Sequence, residues 1–342
     1  MVSASADLAI IIVSTNEARW LEPCLSTVFD HAGDARLDVV VVDNESTDGT
    51  RELVETRFPE ARVVASSNLG FAHANNLGAR TCTARYVLFL NPDTEIVEGT
   101  FGELVAAMDE RADTGLAGVR QLTADGTLWP TIRYFPSVSR SLAEAFLSER
   151  WPARPRWAGE RELDESLYNR ELECDWTSGS FMLARREALL SAGLLDERFF
   201  IYSEEPDLCL RMKRDGWTVR HLPIMTIIHH AGKGGVRPRM VAQDAFTRRQ
   251  YARKHFTLPQ RVGFLAAVGT NLVLRALAPQ RGELGAQRRA ASRLALRTLV
   301  GRADPPFGSP PATAIPPPQR ERHRAPVQPA VREKPESVRP VR

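Results

Sequence analysis

The stretch YVLFLNPDTEI, residues 86–96, places one carboxylate directly after a run of apolar residues. The residues from Tyr86 to Leu90 predict a buried strand, and Asn91 and Pro92 end it because proline cannot donate a hydrogen bond to a sheet. Pro92 also keeps the preceding backbone extended, so that Asp93 projects beyond the strand. Asn-Pro-Asp-Thr alone is a common turn composition, and its interpretation as part of a ligand site depends on the strands around it.

The same pattern of an apolar run followed by a helical pattern occurs three times before residue 86. The apolar runs are LAIIIVST, LDVVVVD and ARVVAS, and the helical patterns after them are EARWLEPCLSTVFDH, TDGTRELVETRF and FAHANNLGARTC. Continuous Val, Ile and Leu runs between helices are typical of parallel strands that are covered on both faces. The predicted fold class is therefore α/β and Rossmann-like, with right-handed crossovers. The first strand ends without a GxGxxG turn, which argues against a dehydrogenase.

The composition is that of a globular protein, with 342 residues of which 43% are hydrophobic. A formal net charge of +3 gives no reason to expect a nucleic acid partner. The four cysteines are widely separated and form no CxxC pair, which is typical of reduced thiols in the cytoplasm. Near the N-terminus, the apolar run is too short for a signal peptide or a membrane span, and no basic segment precedes it.

Three regions are predicted from the change of composition along the chain. Residues 1–235 carry the α/β pattern, and the shorter strands and helices of their second half are expected to complete the same sheet. Residues 236–302 have a helical pattern in which Arg and Lys interrupt apolar stretches. From residue 303 the chain is rich in Pro and Arg, which predicts a disordered tail over residues 303–342.

Ligands of open α/β sheets bind outside the carboxyl ends of the strands, so the polar residues there are candidates for a site. They are Thr15, Asn16 and Glu17 after the first strand, Asp43 and Ser46 after the second, Asn68 and Gly70 after the third, and Asn91 and Asp93 after the fourth. Asp43 is suited to accept hydrogen bonds from a base or a ribose, and Asp93 to bind a divalent cation that bridges two phosphates. The turn after the second strand also predicts that Ser46, Thr47 or Asp48 caps the next helix.

Three carboxylates and two histidines lie much later in the sequence. Glu204, Glu205 and Asp207 stand at the start of a helix, where Asp207 is expected to cap the helix and Glu204 or Glu205 to act as a general base. His229 and His230 follow an apolar strand, and each can be either a ligand or a core residue. The glycines and the lysine of residues 232–235 predict a flexible loop able to approach a phosphate.

With these residues in order, the chain resembles the family 2 glycosyltransferases of the GT-A fold, and most closely their rhamnosyltransferase-like branch. The matching segments are IIVSTNEARWLEPCLSTV, VVVVDNESTDGT, NLGFAHANNLGAR, YVLFLNPDTEI, DWTSGSFMLARREALLSAGLLDERFFIYSEEPDLCLRMKRDGW and IIHHAGKGG. The resemblance implies an inverting, metal-dependent transfer of a sugar from a nucleoside diphosphate to an acceptor hydroxyl. Residues 1–235 would then be the GT-A catalytic domain, followed by a helical segment.

The resemblance also implies a role for each candidate residue. The residues expected to bind the nucleotide sugar are Thr15, Asn16, Glu17, Asp43, Ser46, Asn68, Gly70 and Asn91. Asp93 matches the last carboxylate of the family's DxD-type motif and would bind Mg²⁺ or Mn²⁺, approached by His230 or, failing that, His229. Glu205 matches the general base, with Glu204 as the alternative, and Trp176, Ser178 and Gly179 match the acceptor side. The chain departs from the family pattern by having Asn91 at the first position of the metal motif and Glu in place of Asp as the base.

The rhamnosyltransferase-like branch suggests dTDP-L-rhamnose as the donor and a lipid-linked saccharide of cell-wall or surface polysaccharide synthesis as the acceptor. The apolar stretch at residues 262–278 is too short and too polar to span a bilayer but could lie in its interface, which with the basic tail predicts peripheral attachment to the cytoplasmic face of the membrane. Alternatively, these helices only pack on the catalytic domain. The alternative function is a catalytically silent GT-A domain that binds nucleotide or glycan within an assembly.

Overall fold

The computed structural model of the protein describes residues 6–146, 155–230, 237–278 and 282–308. The four apolar runs of the N-terminal half form strands, as predicted: β1 (Leu8–Ser14), β2 (Leu37–Asn44), β3 (Arg62–Ser66) and β4 (Tyr86–Leu90). These strands pair in parallel in the order β3-β2-β1-β4. Their carboxyl ends therefore lie along one edge of the sheet, the edge at which ligands of such sheets bind.

Helices cover both faces of these parallel strands. The connecting helices are α1 (Ala18–Asp30), α2 (Thr50–Arg57) and α3 (Phe71–Arg80). Because successive strand side chains point to opposite faces, Ile10 and Ile12 belong to the core under α1, whereas Ile11 belongs to the core under α3. A Cβ added to Gly78 would lie 2.5 Å from the Cγ2 atom of Ile11, so this glycine lets α3 pack closely on β1. Burial on both faces explains the continuous apolar runs of β1, β2 and β4.

The second half of the chain completes the same sheet, as predicted. Its elements are β5 (Thr94–Glu98), α4 (Phe101–Glu110), β6 (Thr114–Leu122), α5 (Val138–Phe146), β7 (Leu172–Glu173), β8 (Phe181–Arg185), α6 (Arg186–Ser191), α7 (Glu204–Arg214) and β9 (Thr218–His229). The strand order is β3-β2-β1-β4-β8-β6-β9-β5, and β7 pairs with β9. β8 runs antiparallel to both β4 and β6, and β5 and β7 run antiparallel to β9, so this part of the sheet is mixed and not mostly parallel. The long connection between β6 and β8 is not a single crossover helix, which allows the chain to return in the opposite direction.

The helical pattern predicted after residue 235 is confirmed by α8 (Pro238–His255), α9 (Leu258–Leu277) and α10 (Gly282–Leu299). These helices share a small apolar core that includes Ala242, Leu272 and Ala295. None of the described helices combines the length and the apolar character needed to cross a membrane. The predicted tail lies outside the described residues from residue 309 onward.

Buried charges attach α8 to α7. The Nζ atom of Lys254 lies 2.5 Å from Oδ1 of Asp207 and 2.6 Å from Oδ2 of Asp196, and Arg211 pairs with Asp207 at 2.8 Å. Burial would raise the pKa of Asp207, but Arg211, His255 and Lys254 hold it well below its usual range. The expectation that Asp207 caps α7 is therefore wrong, because its carboxylate serves this ion-pair network. The alternative in which the C-terminal helices pack on the α/β part is confirmed for α8.

Candidate active site

The turns after β1 and β2 hold each other in place at the carboxyl edge of the sheet. The Oδ1 atom of Asn16 accepts a hydrogen bond of 2.8 Å from the backbone N–H of Thr47, and the N–H of Asn16 donates to Oγ of Ser46 at 3.1 Å. Asn16 has φ 57°, a left-handed conformation that asparagine tolerates better than most residues. Asn16 and Ser46 thus shape the edge at which a nucleotide would bind.

Asp43 is buried at the end of β2 and keeps one oxygen available. Its Oδ1 atom accepts a hydrogen bond of 3.0 Å from the N–H of Ser46, and its Oδ2 atom lies 3.9 Å from Nε of Arg51. A distance of 3.9 Å is too long for a hydrogen bond, so Oδ2 can still accept one from a base or a ribose.

The predicted cap of the helix after β2 is Asp48. Its Oδ1 atom accepts a hydrogen bond of 3.2 Å from the N–H of Thr50, the first residue of α2, although Gly49 occupies the N-cap position. Its Oδ2 atom accepts a further hydrogen bond of 2.9 Å from the N–H of Ala18, the first residue of α1. One carboxylate therefore holds the first turns of both helices beside the site.

Asn44 connects three strand ends and has no counterpart among the predicted site residues. Its buried Nδ2 atom donates to Oγ1 of Thr15 at 3.3 Å and to Oδ1 of Asn68 at 3.0 Å. Thr15 and Asn68 are thus used to fix the edge of the sheet. An asparagine directly after a strand gives no sequence signal that distinguishes this role from that of a turn residue.

Gly70 brings the loop before α7 to the same edge. A Cβ at Gly70 would lie 2.5 Å from the carbonyl oxygen of Phe200, and that oxygen accepts a hydrogen bond of 2.7 Å from the N–H of Phe71. Gly70 also has φ 108°, a backbone conformation that residues other than glycine rarely adopt. The structure therefore accounts for this glycine by close packing against the backbone.

The pairing of β5 with β9 brings His229, and not His230, to Asp93. Thr94 pairs with His229, and Nε2 of His229 lies 3.3 Å from Oδ1 of Asp93. Nε2 of His230 lies 2.6 Å from Oε1 of Glu95, and its ring stacks on Trp20 with 4.8 Å between centroids. This geometry favours His229 over the predicted His230 as the histidine that would approach a metal.

The donor set around Asp93 fits a cation that takes most of its ligands from a substrate. No group of three or more His, Cys, Asp or Glu able to hold a metal occurs among the described residues. Asp93 and His229 supply an oxygen and a nitrogen, and Mg²⁺ in phosphate-binding sites usually has one or two protein carboxylates with phosphates and waters. Burial, followed by the charge of Asp93, raises the pKa of Glu17, which extends this acidic corner.

Glu205 and Glu204 occupy different environments at the start of α7. The Oε1 atom of Glu205 accepts a hydrogen bond of 3.2 Å from the N–H of Gly179, and a Cβ at Gly179 would lie 2.9 Å from that oxygen. Burial raises the pKa of Glu205, and the Gly179 hydrogen bond and the charge of Arg133 oppose that rise. Glu204 is 2% exposed, its Oε2 atom has no hydrogen-bond partner, and burial followed by the charge of Glu205 raises its pKa well above its ordinary value.

The residues predicted for the acceptor side lie in the segment that leads into the Gly179 turn. Nε1 of Trp176 donates to the carbonyl oxygen of Tyr134 at 2.9 Å. Oγ of Ser180 donates to Oγ of Ser178 at 3.2 Å and to Oε1 of Gln121 at 2.7 Å. The backbone N–H of Asn91 donates to the carbonyl oxygen of Ser180 at 3.0 Å. This last bond places the NPD turn directly beside the turn that holds Glu205.

Residues 9–189 match the sequence model of Glycosyl transferase family 2. The chain is 31% identical over 235 residues to the N-acetylglucosaminyl-diphospho-decaprenol L-rhamnosyltransferase of Mycobacterium tuberculosis, covering 65% of this chain and 76% of that protein. It is 26% identical over 231 residues to the rhamnosyltransferase WbbL of Escherichia coli K12, covering 65% of this chain and 83% of that protein.

Two solved structures have the same fold. The mannosyltransferase PcManGT from Pyrobaculum calidifontis, in complex with GDP-Man and Mn²⁺, superposes with a TM-score of 0.51 at 16% identity and covers 87% of both chains. GalNAc-T7 with UDP, GalNAc and Mn²⁺ superposes with a TM-score of 0.52 at 13% identity, covering 87% of this chain and 56% of that one. At these identities the likeness concerns the fold alone. The segment matched by the family model contains the strand ends with Asp43 and Asp93 and the Gly179 turn, but ends before Glu205 and His229.

Proposed function

The chain belongs to glycosyl transferase family 2, and from that premise we propose that it moves a sugar from a nucleoside diphosphate to a hydroxyl of a saccharide acceptor with inversion at the anomeric carbon. It is a glycosyltransferase of the GT-A fold, and we take Glu205 as its general base and Asp93 as the ligand of a divalent metal. The observation that carries this proposal is the hydrogen bond of 3.0 Å between Asn91 and Ser180, which joins the turn of Asp93 to the turn that holds Glu205. A leaving diphosphate and an acceptor hydroxyl thus have neighbouring partners.

Each of these residues has a separate role in a single displacement reaction. Asp43 accepts hydrogen bonds from the nucleoside, while Asp93 and His229 would hold the divalent cation. A bound Mg²⁺ or Mn²⁺ supplies positive charge where negative charge develops on the leaving diphosphate. Glu205, oriented by the N–H of Gly179, takes the proton of the acceptor hydroxyl. At the same time the hydroxyl oxygen bonds to the anomeric carbon, and the bond between that carbon and the diphosphate breaks. Attack from the side opposite the leaving group inverts the configuration.

L-Rhamnose is the proposed sugar, and dTDP-L-rhamnose the proposed donor. Both relatives named above are rhamnosyltransferases by name, and the M. tuberculosis protein is named for an N-acetylglucosaminyl-diphospho-decaprenol acceptor. A lipid-linked saccharide of cell-wall or surface polysaccharide synthesis is therefore the proposed acceptor. Such an acceptor resides in a membrane, which agrees with action at the cytoplasmic face of a bilayer.

An apolar face on α5 and α9, which we call the α5–α9 face, supports peripheral contact with that bilayer. The two helices run side by side in the same direction, because Val138 contacts Gly263 and Nδ2 of Asn271 donates to the carbonyl oxygen of Glu144 at 3.1 Å. Exposed apolar residues lie four positions apart at Leu142 and Phe146 of α5 and at Val273 and Leu277 of α9, and Val262 lies three helical turns before Val273 on the same side of α9. Residues 237–302 contain fourteen Lys and Arg but only two acidic residues. This combination suits an interface with anionic lipids.

A donor panel tests the activity. We expect calorimetry with dTDP-rhamnose, UDP-galactose, UDP-GlcNAc and GDP-mannose to find dTDP-rhamnose bound in the presence of Mg²⁺ or Mn²⁺, and Asp93→Ala to remove the metal dependence. Glu205→Gln is expected to keep donor binding but to slow transfer by about a hundredfold or more, since it removes the base. If no donor is bound and no sugar is transferred or released with either metal, the catalytically silent GT-A domain becomes the better description.

A further inference from the structure

A buried arginine lies beside the proposed acceptor side of the site. The N–H of Arg133 donates to the carbonyl oxygen of Trp176 at 3.1 Å, and the N–H of Asp175 donates to the carbonyl oxygen of Arg133 at 3.1 Å. This pairing aligns Arg133 with the segment that leads into the Gly179 turn. The guanidinium carbon lies 5.3 Å from the centroid of the Trp176 ring, within the range of a cation–π contact.

Among the described residues, no oxygen accepts a hydrogen bond from the guanidinium of Arg133, and its Nε atom is buried without a partner. The Nε atoms of Arg120 and Arg140 are also buried without a partner, whereas Arg185 donates to the carbonyl oxygens of Met108 and Arg111. A buried charged donor without an acceptor is costly, so such a group is usually satisfied when a ligand binds.

The nearest carboxylates to Arg133 already have other partners and do not pair with it. Burial, followed by the charge of Arg161, lowers the pKa of Arg133 to about 10, although Glu160, Tyr168 and Glu205 oppose this fall. It therefore stays charged at neutral pH. The carboxylate of Glu160 is already paired with Arg248 at 2.9 Å, and that of Glu205 accepts from Gly179.

We propose that Arg133 binds the phosphate or diphosphate that links the acceptor saccharide to its lipid. The inference rests on the proposed function, because it takes Glu205 as the base that faces the acceptor hydroxyl. The hydroxyls and the anomeric phosphate of a glycosyl diphosphate belong to one sugar ring, so a cation near the base can hold the phosphate while a hydroxyl reaches Glu205. A guanidinium presents its donors as a planar fork, which matches two phosphate oxygens.

Two acceptors that differ only in charge test the assignment. They are N-acetylglucosaminyl diphospho-farnesol and the neutral farnesyl glycoside of N-acetylglucosamine, each assayed with dTDP-rhamnose. For Arg133→Gln we expect KM for the diphosphate acceptor to rise about tenfold to a hundredfold, since a charge-assisted pair is lost, and KM for the neutral glycoside to change less than about twofold. Arg133→Lys, which keeps the charge but loses the fork, should lie between.

Arg140→Gln is the matched control. Arg140 lies 5.0 Å from the centroid of the Tyr134 ring in a similar arrangement, but its Nη1 atom donates to the carbonyl oxygen of Phe135. This variant should leave both KM values within about twofold. An equal loss on both acceptors in Arg133→Gln would mean that Arg133 only positions Glu205 and Trp176, and a loss of donor affinity would assign it to the donor diphosphate. Either result overturns the inference.

Calorimetry with farnesyl diphosphate and farnesol separates this inference from the proposed function. We expect wild type to bind farnesyl diphosphate more tightly than farnesol, and Arg133→Gln to lose that difference. If wild type binds farnesyl diphosphate more tightly than farnesol, and Arg133→Gln loses that difference, but wild type transfers no sugar, the proposed function fails and the anion site stands. If wild type transfers rhamnose but the difference is absent or survives in Arg133→Gln, the anion site fails and the proposed function stands.

Discussion

At the scale of single residues, two adjacent histidines have different partners because they lie at the end of one strand. Successive side chains of a strand point in opposite directions, so His229 and His230 cannot both face Asp93. The sequence predicted that a histidine here approaches a metal and favoured His230, whereas the contact with Asp93 favours His229. Only the register of β5 on β9, in which Thr94 pairs with His229, decides between them, and register is not readable from one sequence.

Single substitutions of the two histidines test this assignment. We expect His229→Ala to raise the Mn²⁺ concentration needed for half-maximal donor binding about tenfold or more, because it removes a side chain 3.3 Å from Oδ1 of Asp93. His230→Ala should raise it less than about threefold, since this ring pairs with Glu95. Metal titrations in the presence of the donor measure both. A larger effect of His230→Ala would place the metal beside Glu95.

The other residue-scale prediction concerns stability and pH. The pKa of Glu204 in the folded protein is raised above its ordinary value of 4.5, mainly by burial. The stability associated with its protonated form is therefore fully present below about pH 4.5 and is lost as the pH rises towards the folded-state value. We expect Glu204→Gln, which cannot ionise, to match wild type near pH 4 and to be more stable than wild type near pH 8. Urea unfolding at both values measures this, and equal stabilities at pH 8 would contradict the raised pKa.

At the scale of elements, the repeated run-and-helix pattern was sufficient to predict β1 to β4 and the edge of the sheet that carries Asp43 and Asp93. The antiparallel insertion of β8 was not predictable, because the long connection that leads to it from β6 is not a single crossover helix and does not indicate that β8 pairs with β4 and β6. Arg133 and Gln121 were missed for the same reason. Gln121 lies at the end of β6 and Arg133 lies in the connection, where composition alone does not indicate which residues return to the site.

The contact between α7 and α8 gives the element-scale prediction. Lys254→Met is expected to lower the free energy of unfolding by about 3–5 kcal/mol, because it leaves the buried carboxylates of Asp196 and Asp207 with one cation fewer. Chemical denaturation measures the change. The control is Arg57→Met, whose pair with Glu22 is exposed at both ends and should change the free energy by less than about 1 kcal/mol. Similar losses in the two variants would contradict the role of Lys254 as an anchor.

At the scale of the whole molecule, the α5–α9 face predicts how the protein meets a membrane. The paired substitution of Val262 and Leu277 by Asp should weaken binding to vesicles with anionic lipids by about tenfold or more, because two apolar side chains that would contact lipid are replaced by charged ones. Co-sedimentation at low and high salt measures the affinity. Binding should also weaken with salt in wild type, because the helices beside this face are basic.

Leu190→Asp is the control for that experiment. Leu190 is also exposed on a helix, but it lies on α6, away from the α5–α9 face, and its substitution should leave vesicle binding unchanged. Unchanged binding of the paired variant would instead mean that this face contacts no lipid.

The ion pairs of Lys254 also bear on how the chain folds during synthesis. Asp196 and Asp207 belong to the part of the chain that leaves the ribosome first, and they must be buried for α7 to pack. Lys254, the cation that both carboxylates share, is synthesised about fifty residues later and lies in the last turn of α8. A nascent chain that ends near residue 235 therefore holds Glu205 on a helix whose buried Asp207 has Arg211 as a partner but still lacks Lys254 and His255. We expect arrested chains to protect α7 from a protease only once His255 has emerged, so that the site forms late in translation.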